Sequence, residues 1–102
     1  MNILTKRRLT MELGAIIKRE WELSRSLSIH DIPDEELSDF SQKYPCIYHA
    51  MIVWAEEFYD LMVRQDEIFL LLGKHDLRKA LIPERDALER RIWALKQAKE
   101  VA

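Results

Sequence analysis

The chain has 102 residues, 48% of them hydrophobic and 33% charged, with a formal net charge of −2. That is enough chain for one core without metal or disulfide support, and the composition excludes a disordered polymer. Two glycines and three prolines are too few for a turn-rich β-sandwich or barrel, and they exclude collagen-like and linker-rich chains.

The first predicted helix runs from about Thr5 to Leu27. At 100° per residue Leu9, Leu13, Ile16, Ile17, Leu23 and Leu27 share one arc, with Arg7, Lys18, Glu22 and Arg25 opposite. Gly14 lies inside this helix at a cost of about 1 kcal/mol relative to alanine, and leaves room for a close crossing near Ile17 and Trp21. Three prolines then mark helix starts, because the missing N–H of proline has no partner in a first turn anyway. Pro33 opens a short second helix to Lys43, with Leu37 and Phe40 as its apolar residues. Pro45 opens a third helix reaching about Leu72 and ended by Gly73. The apolar arc of that third helix includes Ile47, Met51, Trp54, Phe58, Met62, Ile68 and Phe69 and covers more than half its circumference. Such a helix is central, touching two neighbours in the chain or one neighbour and a second subunit. Beyond Gly73 the sequence predicts a turn or short helix over Asp76–Leu81, capped by Asp76, and a fourth helix from about Pro83 to Lys99. Pro83 either starts that helix or kinks one continuous helix. Its seam is Leu81, Leu88, Ile92, Leu95 and Ala102, with Arg85 and Lys99 interrupting, and in composition it resembles a coiled-coil segment. The expected fold is therefore all-α: residues 1–102 as one elongated helical bundle of three long helices and one or two short ones.

Charge is distributed unevenly. Residues 1–30 carry +3, residues 31–67 carry −8 and residues 68–102 carry +3. Either neighbouring helices of opposite sign attract one another, or the two terminal segments build a basic face. Lys6, Arg7 and Arg8 are the candidate phosphate contacts of such a face. The segment from Pro33 to Ala55 has helix-turn-helix proportions, but its reading surface would be Cys46, Ile47, Tyr48, His49 and Met51. No arginine or lysine stands there to read a groove.

Catalytic motifs are absent. Gly14 and Gly73 are too far apart for a phosphate loop, and there is no Gly-x-Ser-x-Gly elbow or His-Glu-x-x-His helix. Cys46 and His49 could form a thiolate–imidazole couple, but nothing supplies an orienting third group. His49, Glu56, Asp60 and Glu67 share a stripe that reads as a solvated face, since no Glu-x-x-His pair accompanies it. Neither a cofactor nor a metal is expected. Glu20 and Gln65 fall inside apolar arcs. The carboxylate there must be paired, reach water along its stem, fix helix register or act as an acid.

The single cysteine, Cys46, can make no internal disulfide, which fits a reducing compartment. Lys6, Arg7 and Arg8 are not followed by a signal-type apolar run, and the most apolar stretch, Ile68–Leu72, is too short for a bilayer. The expectation is a cytoplasmic protein with no membrane partner. The function expected is non-catalytic: protein binding, adaptor or regulatory work through helix faces, with homodimerisation; the alternative is a nucleic-acid-associated regulator using the basic terminal helices, and the third reading is an enzyme whose site assembles across a dimer. The candidate interface residues are Trp93 with Arg90 and Arg91, and Val53 and Leu71 toward the polar side of the third helix. Trp93 stands on charged ground among Glu89, Arg90, Lys96 and Gln97, so it is either a lid over the core edge or an interface anchor.

Overall fold

The computed structural model describes residues 1–101, Val101 by its backbone alone. Among them are four helices and no strand: α1 (Ile3–Ile29), α2 (Leu37–Lys43), α3 (Pro45–Leu71) and α4 (His75–Val101), with a 3-10 turn over Asp34–Glu36 leading into α2. The long helices have 27 residues each, about 40 Å of rod. The molecule measures 52 × 21 × 19 Å and its radius of gyration is 16.1 Å, against about 13 Å for a rounded domain of this length.

Local chemistry sets the ends. α1 starts two residues earlier than Thr5 because the Asn2 side chain caps it, accepting from the Thr5 N–H at 2.8 Å. Pro45 is the first residue of α3, and Tyr44 alone separates it from α2. The end of α3 is a Schellman turn: the Lys74 N–H donates to the Phe69 carbonyl, the Gly73 N–H donates to that of Leu70, and Gly73 takes φ +70°. Asp76 lies in the first turn of α4, where its charge suits the helix dipole, rather than capping a separate short helix. Pro83 neither starts a helix nor divides one; α4 runs through it.

α3 is the central element. It packs against α1 on one side and α4 on the other, and α2 bridges α3 and α4 at one end. Its broad apolar arc is thus covered within one chain over most of its length, Ile47 remaining exposed. A rod about 20 Å thick has room for only one layer of side chains between helices, so the core is divided along its length. Leu9 and Ile16 of α1 pack on Ile68; Met62 and Phe69 pack on Leu81 of α4; Leu37, Tyr48, Met51, Ile52, Ala55 and Leu95 fill the end where α2, α3 and α4 meet. Leu81 and Leu95 of the predicted α4 seam are buried, while Ala102 lies outside the described residues. Gly14 is not a crossing point, since a Cβ there would meet nothing within 4 Å.

Ion pairs hold the helices side by side. Arg19 grips Glu57, and Arg64 grips Glu12, each through two guanidinium nitrogens at 2.6 and 2.9 Å. These hydrogen bonds hold the Glu12 and Glu57 carboxyls below their usual range. Arg78 meets Asp66 and Lys96 meets Glu56 between α3 and α4. Acidic positions of the middle segment are therefore matched to basic ones on both flanking helices.

Candidate protein-interaction surfaces

Trp93 is 66% exposed, so it is not a core lid. Arg90, one turn away, is exposed beside it. Arg91 points elsewhere: its guanidinium donates to Asp34 Oδ1 and to the Ile32 carbonyl, both at 2.8 Å, and so ties the α1–α2 connection to α4. Val53 and Leu71 are about half exposed on α3. They are separated by five turns, about 27 Å. The structure thus presents Trp93 and Arg90 together, while Val53 and Leu71 are separate points and Arg91 is occupied within the chain. Lys6, Arg7 and Arg8 are exposed on the first turns of α1 and form no ion pair among the described residues.

The would-be reading surface over residues 46–51 is turned inward, because Tyr48 and Met51 are almost wholly buried. The Tyr48 hydroxyl donates to the Leu95 carbonyl, closing the α2 end of the bundle. Cys46 and His49 are exposed, and no group of three His, Cys, Asp or Glu side chains converges as a metal site among the described residues. No helix described is long and apolar enough to cross a membrane.

Glu20 and Gln65, polar residues on apolar arcs, meet each other. With its nitrogen facing α1, the Gln65 amide donates to both Glu20 carboxylate oxygens, at 2.7 and 2.8 Å. Both side chains are buried, in a groove between α1 and α4 that Trp21, Phe58, Met62, Leu81 and Glu84 also line. Burial, and secondarily the Glu84 carboxylate, push the Glu20 carboxyl up to about 7. The pair therefore ties α1 to α3 through a buried polar contact, with the Glu84 carboxylate of α4 in the same groove. Between its ordinary value of 4.5 and about 7, the folded chain keeps a proton that the unfolded chain has released. Stability therefore falls as pH rises through that window. Glu20→Gln should raise stability by about 1 to 2 kcal/mol at pH 8, allowing for the groove's contact with water, and by close to nothing at pH 4. Urea melts at the two pH values would show it; an equal effect at both would mean that Glu20 is ionised in the fold.

The exposed apolar residues that helical periodicity missed are the informative ones. Trp21 is 71% exposed at the rim of the groove, and Ile3, Leu4 and Met11 are more than 70% exposed on α1. Leu70 and Leu77 are about half exposed around the α3–α4 turn. For Trp21 the sequence held a signal, since the residue lies off the α1 stripe. Ile3 and Leu4 precede the predicted helix start, and Leu70 and Leu77 flank the α3–α4 turn. Comparison with protein families, with curated proteins and with solved structures gave no match, so the functional reading rests on these residues alone.

Proposed function

We propose that this is a small, non-catalytic cytoplasmic protein that binds other proteins, and copies of itself, through exposed helix faces, as an adaptor or regulatory subunit. The observation that supports this is the exposure of Trp93 beside Arg90 on a helix whose opposite face already packs on α3. Tryptophan and arginine are the residues most enriched where binding energy concentrates. Trp93→Ala should leave folding stability within about 1 kcal/mol and weaken self-association or partner binding by about 2 kcal/mol or more. Denaturant melts beside sedimentation equilibrium test this. A large loss of stability with association unchanged would refute the anchor role.

A second reading, a nucleic-acid-associated regulator, is supported by the unpaired Lys6, Arg7 and Arg8. Binding of duplex DNA or RNA should then weaken steeply with added salt, and Arg7→Ala/Arg8→Ala should flatten the log–log slope by about 2. Salt-independent binding, or none at low salt, removes it.

A further inference from the structure

The two ends of the rod are chemically opposite. At one end α1 begins beside the α3–α4 turn, because the Glu12–Arg64 and Arg19–Glu57 pairs set an antiparallel register that brings Leu4 level with Leu72. This tip exposes Ile3, Leu4, Leu71 and Leu77 at 79, 73, 52 and 51%. Around them stand Lys6, Arg7, Arg8, Lys74 and Lys79, all exposed and none in an ion pair among the described residues, with Asp76 in the first turn of α4 as an opposing charge. The other end is formed by the α1–α2 connection and α2. There an open cleft of about 450 Å³ is lined by Ile32, Phe40 and Tyr44 together with three acids, Asp31, Glu36 and Asp39, against one cation, Lys43. Of the nearby acids only Asp34 is held in an ion pair, by Arg91.

We propose that copies of this chain join end to end, with the basic, apolar tip of one seated in the acidic, aromatic-lined cleft of the next. Charge selects the occupant. Two tips repel each other and so do two clefts, which disfavours a two-fold contact between like ends, whereas tip and cleft match in sign and each offers apolar surface to the other. A nucleic acid on the tip would satisfy the cations but leave Ile3, Leu4, Leu71 and Leu77 in water. It would also leave the cleft without a role. Because tip and cleft lie at opposite ends of a 52 Å rod, the contact is head-to-tail and does not close on itself in a pair; it propagates. The proposal rests on the self-association put forward above and assigns it to the ends of the rod, which leaves Trp93 and Arg90 to the binding of other proteins.

The test is sedimentation of the full chain across concentration and salt. At low ionic strength the average mass should grow past the dimer with concentration, and association should weaken by about tenfold or more at 0.5 M salt, where screening shortens to a few ångströms. A tip variant, Arg7→Glu/Arg8→Glu, and a cleft variant, Asp31→Lys/Glu36→Lys, change only exposed residues. Circular dichroism should therefore find both folded. Each alone should stay monomeric, and an equimolar mixture should associate again, since the native tip of one variant matches the native cleft of the other and the two reversed ends are themselves opposite in sign. A wild-type chain that is monomeric throughout overturns the proposal. So does a salt-insensitive dimer that neither end variant disturbs. If that dimer is lost in Trp93→Ala, the helix-face reading stands without this one; capture of the tip by RNA or by anionic vesicles, with no self-association, overturns it as well.

Discussion

Leu95→Ala is expected to destabilise the protein by about 3 to 5 kcal/mol. Leu95 is fully buried where α2, α3 and α4 meet, packed in the cluster that holds Leu37, Tyr48, Met51, Ile52 and Ala55. Removing its isobutyl group forfeits the transfer of that surface from water and leaves a void. The surrounding side chains belong to three different helices and can close that void only by moving backbone. The Leu95 carbonyl still receives the Tyr48 hydroxyl in the variant, so the loss measures packing and not that hydrogen bond. For a domain with about 5 to 15 kcal/mol in total, such a loss is visible as a large fall in the urea midpoint with little change in slope. Leu77→Ala, at a half-exposed site on the same helix, should cost less than about 0.5 kcal/mol. Equal effects at the two positions would mean that α4 does not dock through Leu95.

Pro83→Ala is expected to act in the other direction, raising stability by about 2 kcal/mol. Pro83 is the ninth residue of a continuous 27-residue helix, so it withholds the N–H that the Lys79 carbonyl would receive, and its ring crowds that carbonyl. In a helix interior proline is about 3 kcal/mol worse than alanine. Part of that cost is offset here because residues 79 and 83 are exposed and water reaches the orphaned carbonyl. The gain should appear as a higher thermal midpoint with unchanged helical content. A loss instead would mean that the proline sets a bend on which the seating of Leu81 against Met62 and Phe69 depends.

Helix α3 and the Glu20–Gln65 pair show how far sequence alone carries. The apolar arc of α3 was broader than one neighbour could cover, and in the structure two neighbours cover most of it. Glu20 and Gln65 each stood out as polar residues on apolar arcs, but nothing in their spacing paired them. Their contact depends on the register between α1 and α3, which the Arg19–Glu57 and Arg64–Glu12 pairs adjust at long range. Trp93 was open to two readings for the same kind of reason. Its own helix places it beside the seam, and only the positions of α2 and α3 decide whether another element covers it.

What the sequence by itself determined was local: the all-α class, Pro33, Pro45 and Gly73 as punctuation, and the inward stripes of α1, α3 and α4. Periodicity and capping act within a few residues of chain, so those features are written in it directly. Tertiary structure decided what depends on distance. It made α4 one helix through Pro83, because packing of Leu81 and Leu88 on α3 outweighs a single lost hydrogen bond. Burial of Tyr48 and Met51 followed, since α4 covers the start of α3. It also gathered Ile3 and Leu4 with Leu71 and Leu77 at one end of the rod, residues separated by some seventy positions in sequence. Only antiparallel packing of helices of equal length brings them level, and the edge of the core stops there with nothing among the described residues to cover it.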